Sequence, residues 1–386
     1  MLVGATGAGA EKRHQPSRPG LEITQPTAAR KVTARLFEVA GQFAQGHSLI
    51  DIRPLGNGLI NDTFLVSCGV DSFVLQRINP RVFPHPRQVM HNLAQLSRHI
   101  RQKPAGSVRL KIPDIVYSLN GKPFYQDEQK QIWRALQLIS PAESREQIQN
   151  ADQAGQIGWA LAHFHRLCSD LSPALLHDSL PGFHVTPAYF QQYRELISQP
   201  AQVASDDDFR YCQAFIESRQ SHIDVLEQAM QAGELQPRVI HGDPKLNNFL
   251  FEPGSHRIVS LIDLDTVKPG LVHYDIGDCL RSSCHDKAGN RFDLDRCAII
   301  LKSYLEEAGS FFSASDYDFL YPAIWLIPFE LGLRFFSDYL NGNRYFKVDR
   351  PRHNLERALA QFALCSDIAG RRAEIERLIK ALRGAG

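Results

Sequence analysis

Residues 241–248 of the chain read HGDPKLNN, inside the longer stretch VIHGDPKLNNFLF that covers residues 239–251. Hydrophobic residues flank a block that contains an acid, a lysine and two adjacent amides. Buried strands rarely contain so many polar groups, and a plain surface turn does not need all of them together. The stretch therefore predicts two short core strands joined by a loop whose side chains carry out chemistry.

The spacing of these polar residues matches the catalytic loop of protein kinases, H-R-D-L-K-x-x-N. Alignment on the acid places Asp243, Lys245 and Asn248 at the matching offsets. In phosphoryl transfer, the acid orients the acceptor hydroxyl and takes its proton, and the lysine neutralises charge on the moving phosphoryl group. The amide oxygen of Asn248 is a suitable neutral ligand for Mg²⁺.

A second motif supplies the anionic ligand that a magnesium ion also needs. Residues 261–265 read LIDLD, and Asp263 lies 20 residues after Asp243. Protein kinases carry their second metal ligand on the hairpin that follows the catalytic loop, so Asp263 is the predicted ligand and Asp265 the second choice. The alternative is a pair of surface hairpins rich in turn acids, which does not explain why both motifs occur at this distance.

A glycine-containing hairpin upstream is the predicted ATP site. The stretch PLGNGLINDTFLV of residues 54–66 places two glycines between β-like segments, and glycine lets backbone N–H groups approach phosphates. Alone, such a stretch is an ordinary hairpin turn, but the catalytic loop downstream favours a nucleotide site. Its predicted nucleotide-binding residues are Gly56, Asn57, Gly58, Asn61, Asp62 and Thr63.

The next strand, FVLQRIN of residues 73–79, is expected to provide the cation for the ATP phosphates. Because side chains alternate along a strand, Gln76 or Arg77 can face the nucleotide, but not both, and charge favours Arg77. The helix predicted over residues 87–103 contains no acid, so the lysine–glutamate pair of protein kinases is absent. His91 or Asn92 could take the place of that glutamate.

Hydrophobic patterning predicts an α+β, bilobal layout with a small β-rich N-lobe and a larger, mainly helical C-lobe. The resemblance of residues 241–248 to the kinase catalytic loop implies that this layout is a protein-kinase-like fold. Residues 1–30 are rich in Gly, Ala, Pro and charge and are expected to be a disordered tail. Residues 31–139 are the predicted nucleotide-binding N-lobe, and residues 140–386 the C-lobe with the catalytic and acceptor-binding groups. Apolar residues at helical spacing from Ile368 to Leu382 predict one last helix.

Composition excludes several classes of partner. The 43 basic and 42 acidic residues give a net charge of +1, so no global field favours nucleic acid.

Seven scattered cysteines without a C-x-x-C pair predict reduced thiols in a cytoplasmic protein. The N-terminus has no apolar signal-peptide core, and the longest apolar run, residues 321–333, is too short for a membrane span. The oligomeric state stays open.

Taken together, H-G-D-x-x-x-x-N and I-D-x-D resemble the aminoglycoside phosphotransferase and choline kinase superfamily, a kinase-like fold that phosphorylates small molecules. The glycine after the histidine and the lack of an A-P-E segment argue against a protein kinase with a switchable activation loop. Within the superfamily, several stretches between residues 56 and 346 resemble the N-acetylhexosamine 1-kinase branch. They are INDTF, VLQRIN, QVMHNL, HGDPKLNNFLF, LIDLDTVKPGLVHYDIGD and RFFSDYLNGNRYF.

The resemblance also implies roles for residues outside the two motifs. Arg334 and Tyr345 match positions where this branch contacts the sugar, although an arginine at the core edge and a packing tyrosine explain them equally well. Asp275 matches a helix acid that braces the catalytic loop. The histidines at 163 and 165 are expected to be satisfied core residues, and His241 is expected to brace the loop.

The leading interpretation is an ATP- and Mg²⁺-dependent kinase that phosphorylates the anomeric hydroxyl of an N-acetylhexosamine. The alternative enzyme acts on an aminoglycoside, an amino alcohol or another sugar. From residue 334 to 386 there are 11 basic and 6 acidic residues, a net charge of +5, which disfavours a polycationic acceptor. An inactive kinase fold that only binds ligands is disfavoured because Asp243, Lys245, Asn248 and Asp263 are all retained.

Overall fold

A computed structural model describes residues 28–56, 60–69, 71–199, 206–286 and 288–385 of the chain. Most of the predicted tail, residues 1–27, lies outside the described residues, as do Asn57 and Gly58 of the predicted ATP hairpin. The first described helix begins at Ala28, so the last three residues of the predicted tail belong to a helix.

The N-terminal part of the described chain is built around an antiparallel sheet in which the strands follow the order β1-β2-β3-β6-β4, and β5 also pairs with β6. These strands are β1 (Leu49–Pro54), β2 (Asp62–Cys68), β3 (Asp71–Arg77), β4 (Ile115–Val116), β5 (Tyr125–Gln126) and β6 (Ile132–Gln137). Helix α1 (Ala28–Gly41) packs on the outer face of the sheet, and α2 (Pro86–Arg101) joins the main core on the other side.

Register decides which polar side chains share a face of this sheet. Thr63, Gln76 and Arg134 are successive partners across β2, β3 and β6, and so they form one row. Asp62 and Arg77 belong to the neighbouring row and point to the opposite face, because side chains alternate along each strand. The first row lies on the side of the sheet that faces the rest of the molecule, where Arg134 contacts Asp265.

The C-terminal part is mainly helical, and short hairpins are inserted between its helices. The helices are α3 (Ala151–Cys168), α4 (Thr186–Ile197), α5 (Asp207–Glu217), α6 (Val225–Gln231), α7 (Val272–Ser283), α8 (Leu294–Ala308), α9 (Ala314–Asp318), α10 (Leu320–Leu340), α11 (His353–Gly370) and α12 (Arg372–Ala385). The short strands are β7 (Glu143–Ser144), β8 (Arg238–Ile240), β9 (Phe249–Phe251), β10 (Ile258–Leu261), β11 (Lys268–Gly270), β12 (His285–Asp286) and β13 (Arg291–Phe292).

The prediction of one last helix from Ile368 to Leu382 is wrong. Ile368 belongs to α11, which ends at Gly370, and α12 begins at Arg372. Arg371 separates them: its guanidinium donates to the carbonyl of Phe292 at 2.9 Å, and its backbone N–H caps the end of α11. A tertiary contact therefore breaks a segment whose apolar spacing is continuous.

Two hairpins bring the chemical motifs together. Strand β8 pairs with β11, and β9 pairs with β10, so the loop of residues 241–248 lies beside the turn of residues 262–267. The α+β fold with a small sheet and a larger helical part is confirmed, while the lobe boundaries at residues 31–139 and 140–386 stay a prediction. None of the described helices is both long and apolar enough to span a membrane.

Close packing of α7 against α10 gives a test of this arrangement. A Cβ added at Gly277 would lie 2.7 Å from the carbonyl oxygen of Ala323 and 2.5 Å from the Ile327 side chain. We expect Gly277→Ala to lower the free energy of unfolding by about 1–3 kcal/mol, as overpacking does. Gly370→Ala meets nothing within 4 Å and is the matched control, expected to be neutral or slightly stabilising. Equal urea midpoints for the two variants would contradict the helix contact.

Candidate active site

Gly242 in the catalytic loop adopts a conformation that only glycine tolerates here. Its φ is +87°, and an added Cβ would lie 2.6 Å from the carbonyl oxygen of Thr266. The hydroxyl of Thr266 donates to the backbone carbonyl of His241 at 2.8 Å, so a side chain of one loop is bonded to the backbone of the other. A side chain at position 242 would therefore push the turn of residues 262–267, the metal-motif turn, away from the catalytic loop.

A buried carboxylate holds this loop from behind. Asp275 on α7 accepts the backbone N–H groups of His241 and Gly242 at 2.7 and 2.8 Å, and its side chain also bonds His165 at 2.8 Å. His163 lies on the same helix as His165 but bonds Glu307 at 2.6 Å. Asp275 thus braces the loop as the resemblance implied, and both histidines are satisfied core residues.

His241 joins the catalytic loop to the metal-motif turn. Its Nε2 hydrogen bonds to the carbonyl of Ile262 at 3.0 Å, and burial lowers its pKa, which keeps the ring neutral. A neutral ring with a proton on Nε2 donates to that carbonyl and leaves Nδ1 as an acceptor. The backbone N–H of Asp243 lies 3.3 Å from Nδ1.

The three residues of the H-G-D-x-K-x-x-N motif are in mutual contact. Lys245 forms an ion pair with Asp243, and the side-chain amide of Asn248 donates to the carbonyl of Asp243 at 2.7 Å. Burial alone would lower the pKa of Lys245, but the charges of Asp243 and Asp263 outweigh it and raise the pKa, so the lysine stays protonated. Because Asn248 commits its NH₂ group to the loop, its oxygen is left for a cation.

The two acids of LIDLD occupy different environments. Asp263 is exposed and has a left-handed backbone, with φ of 68°. Surrounding protein atoms still remove water from its carboxyl group, and this desolvation, with repulsion from Asp265 and Asp243, raises the pKa of Asp263 to about 6. Asp265 is buried, pairs with Arg134, and accepts from the Asn61 amide at 2.6 Å.

A divalent cation fits this concentration of negative charge, because it would relieve the repulsion among the carboxylates, which adds to desolvation in raising the pKa of Asp263. Asp263 and Asn248 are the residues that could hold it, since the Asp265 carboxylate is already engaged. Among the described residues, no group of three or more His, Cys, Asp and Glu side chains forms a metal cage. Asp263 and Asn248 would supply oxygen ligands to a magnesium ion here.

The predicted nucleotide residues are divided between two faces of the sheet. Gly56 has φ of +67°, and no atom of the described residues lies within 4 Å of a Cβ placed on it, which suits a close backbone approach to a ligand. Asn61 and Thr63 lie on the side of Asp265, where Asn61 is buried and links the hairpin to that acid. Asp62 and Arg77, by contrast, bond each other on the opposite face, with 51% and 40% of their side chains exposed.

Sequence reasoning missed Arg134, the arginine in the middle of the hydrophobic strand QIWRALQLI. A charge inside an otherwise apolar strand was the available signal. The two residues considered for the role of the helix glutamate are engaged elsewhere: Asn92 bonds the backbone of His177 and of Val267, while His91 bonds Gln95 at 3.1 Å. Helix α2 is thereby tied to the metal-motif turn without any ion pair.

Arg334 on α10 lies in a cage of four aromatic rings. The centroids of these rings are 4.9 to 6.0 Å from its guanidinium carbon, and they belong to Phe183, Tyr189, Tyr345 and Phe346. Burial alone would lower the pKa of Arg334, but Tyr189, Glu330, Tyr345 and Asp243 raise it, so the cation persists. The structure therefore brings Arg334 and Tyr345 together, and the negative charge of Asp243 contributes to the raised pKa of Arg334.

Two buried acids fix this cage. Asp338 accepts the backbone N–H groups of residues 344, 345 and 346 at 2.8 to 2.9 Å, and so positions the rings of Tyr345 and Phe346. Glu330 lies 3.7 Å from Arg334 and also contacts His184. The other nitrogen of His184 bonds the carbonyl of Gly242 at 2.8 Å, which links the cage to the catalytic loop.

Comparisons with known proteins match the chain to one family and one fold. The model of a family described as phosphotransferase enzyme family matches residues 51–308. A microcompartment-associated aminopropanol kinase superposes with a TM-score of 0.62 at 17% identity, covering 88% of this chain and 98% of that chain. A choline kinase from Cryptosporidium parvum Iowa II gives a TM-score of 0.59 at 13% identity and covers 90% and 97%. The superfamily resemblance is confirmed, and its N-acetylhexosamine branch stays a prediction.

An amicoumacin kinase in complex with AMP-PNP and Ca²⁺ is also similar, with a TM-score of 0.57 and 17% identity over 88% of this chain and 96% of that chain. At identities below 20%, these structures establish the fold and not the acceptor.

The charge of His184 gives a pH-dependent test of the link between cage and loop. Both ring nitrogens of His184 face acceptors, and Glu330 and Asp278 raise its pKa despite burial, while the ring of Tyr274 stacks on it. A raised pKa means that the stabilisation is complete below the unfolded value of about 6.5 and is lost as pH rises through the folded value. We expect His184→Gln to be less stable than wild type by roughly 1.5–3 kcal/mol at pH 6, with a smaller difference at pH 9.

The exposed His47 provides the control, since His47→Gln leaves this network intact. Denaturant unfolding at both pH values measures the effect. A stability difference for His184→Gln that stays constant or grows between pH 6 and pH 9 would rule out a charged His184.

Proposed function

The chain belongs to the phosphotransferase enzyme family, and from this premise we propose that it is an ATP- and Mg²⁺-dependent kinase that phosphorylates the anomeric hydroxyl of an N-acetylhexosamine. The observation that carries the choice of acceptor is the aromatic cage around Arg334. The nucleotide and the divalent cation are supported by a structure of the same fold that holds AMP-PNP and Ca²⁺.

The cage distinguishes neutral acceptors from cationic ones. Aromatic rings attract cations through their negative faces, and such cages recognise quaternary ammonium groups. Here the rings already surround a protonated arginine of the chain itself. An acceptor with its own positive charge would meet repulsion from Arg334 and find the favourable ring faces occupied.

Choline and aminopropanol, named for two proteins of this fold, both carry a positive charge at neutral pH, as aminoglycosides do. An N-acetylhexosamine is neutral, and its amide carbonyl and hydroxyl oxygens can accept from the N–H donors of Arg334. Tyr345, whose surface is 51% exposed, offers a ring face to the apolar side of a sugar. Neutral sugars therefore suit this site better than amines.

Asp243 has the position and the charge for a general base. In the absence of substrate it is paired with Lys245, and a phosphate group that attracts Lys245 would free the carboxylate for the acceptor hydroxyl. The anomeric hydroxyl is more acidic than an ordinary alcohol, because the ring oxygen withdraws charge from the developing oxyanion. A single carboxylate can therefore accept its proton late in a loose transition state.

Asp263 and Asn248 would hold the magnesium ion, whose chemistry is to neutralise charge on the phosphates. The chain's own residues supply the rest: Gly242 lets the catalytic loop touch the metal-motif turn, and His184 fixes the distance between the loop and Arg334. Such positioning matters because a displacement of about 1 Å can lower the rate roughly 100-fold.

The proposed base is tested by Asp243→Asn, which keeps the size of the side chain and removes its charge. We expect kcat to fall roughly 10²–10⁴-fold, the usual range for loss of a general base, with little change in ATP affinity. Asp51→Asn, at an exposed position of β1, is the control and is expected to keep full activity. Near-normal turnover by Asp243→Asn would remove Asp243 from the mechanism.

The proposed acceptor is tested with free N-acetylglucosamine and N-acetylgalactosamine, their methyl glycosides, choline, aminopropanol and kanamycin. We expect ADP release only with the free sugars, and a product whose phosphorus NMR signal couples to the anomeric proton. Phosphorylation of a methyl glycoside at C6, or turnover of the amines without the sugars, would contradict the proposal and favour an amino-alcohol or aminoglycoside kinase.

Substitution of Arg334 provides a second test of the proposed acceptor. Arg334→Ala is expected to raise KM for the sugar by roughly 10–100-fold, the range for a hydrogen bond to a charged group. It also leaves an empty aromatic cage, so weak choline binding should appear in this variant and not in wild type. Arg334→Lys keeps the positive charge, and so it should continue to exclude choline.

A further inference from the structure

The Thr63–Gln76–Arg134 row contains one cation among three side chains. Gln76 occupies the β3 position on the face of the sheet that lies toward Asp265, and it is neutral, while Arg77 points to the other face. Arg134 is the partner of Gln76 on β6, and only 1% of its side chain is exposed. The positive charge that β3 lacks on this face is therefore supplied by the neighbouring strand.

The guanidinium of Arg134 is held firmly but is not fully used. Its Nε and one Nη atom donate to the Gln76 side-chain oxygen at 3.0 and 2.7 Å, and it pairs with Asp265. The other nitrogen, Nη1, is buried and makes no hydrogen bond within the described part of the chain. Buried polar groups without a partner are uncommon, and a functional role, a bound water or an ion can account for one; for Arg134 the position of the side chain indicates a ligand.

The surroundings of Arg134 indicate which ligand fits. Asp265, its ion-pair partner, lies two residues after Asp263 and accepts from Asn61 at the end of the glycine-containing hairpin. Arg134 is thus anchored between the turn that carries the proposed metal ligand and the hairpin proposed to cover the phosphates. Its charge also acts to lower the pKa of Asp263, which places it within electrostatic reach of the metal position.

We propose that Arg134 binds the α- and β-phosphate oxygens of the nucleotide and that Asp265 orients it. This inference rests on the proposed use of ATP. Arg134 then takes the part that a β3 lysine has in protein kinases, and Asp265 takes the part of the helix glutamate. The acid that pairs with Arg134 lies on the metal-motif turn and not on α2. A movement of α2 therefore does not separate the ion pair between Arg134 and Asp265.

An arginine in this place also has a geometric advantage over lysine. Some N–H groups of its planar guanidinium can pair with Asp265 and donate to Gln76, while another N–H group donates to a phosphate oxygen. A lysine on β6 has one terminal nitrogen for all of these partners. The side-chain oxygen of Gln76, which accepts two N–H groups of Arg134, fixes the orientation of the fork.

The experiment measures binding of ADP, ATP and adenosine by calorimetry, without any acceptor. Arg134→Met is expected to lower ADP and ATP affinity roughly 10–100-fold and to leave adenosine affinity unchanged, because adenosine has no phosphate. Arg77→Met, the matched control on the other face, should keep ADP affinity within about threefold of wild type. The double variant Gln76→Lys with Arg134→Gln moves the positive charge from β6 to the paired position on β3. We expect it to recover most of the lost ADP affinity.

ADP affinity that is unchanged in Arg134→Met, or reduced equally for adenosine and ADP, would overturn the inference, as would loss of ADP binding in Arg77→Met alone. If Arg134→Met does not fold, Arg134→Lys replaces it: this variant keeps a charge beside Asp265 but lacks the fork. Several-fold weaker ADP binding with unchanged adenosine binding is then expected, and equal ADP affinity overturns the proposal.

These measurements do not depend on the acceptor, so a wrong sugar assignment leaves them intact. A wild-type protein that binds neither ADP nor ATP would overturn both this inference and the proposed use of ATP.

Discussion

The buried carboxylate of Asp275 is the constraint on which the site depends. It accepts two successive backbone N–H groups of the catalytic loop, at His241 and Gly242, and is itself held by His165. Backbone donors that are buried without a partner are costly, so this pairing fixes the loop against α7. Asp243, Lys245 and Asn248 project from a backbone whose position is set by a buried acid behind the loop.

The site concentrates negative charge and balances it with two internal cations. Desolvation by burial, together with repulsion from Asp265 and Asp243, raises the pKa of Asp263 to about 6. Lys245 pairs with Asp243 and Arg134 pairs with Asp265. Asp263 is therefore the carboxylate whose negative charge is least compensated by a cation. This distribution of charge supports the proposed binding of a metal-bound polyphosphate, because the cation and the phosphates would complete the balance of charge.

The acceptor side is coupled to the same loop through side chains, and not through the backbone alone. Glu330 contacts both Arg334 and His184, and His184 reaches the carbonyl of Gly242. Asp338 orders three consecutive N–H groups and so sets the rings around Arg334. The groups that would select the acceptor and the group that would take its proton therefore belong to one connected network of buried charges.

Local sequence determined the motifs, the α+β class and the superfamily, because each depends on residues that are close in the chain. The spacing of Asp243, Lys245 and Asn248 is a property of one loop, and period-two hydrophobicity identifies strands such as β3. Only the tertiary structure paired β3 with β6, which placed Arg134 beside Gln76 and turned Arg77 to the other face. Three other features also depend on contacts between segments far apart in sequence: the helix break at Arg371, the contact of Asp265 with Asn61, and the cage around Arg334. Register and packing decide which of these partners meet.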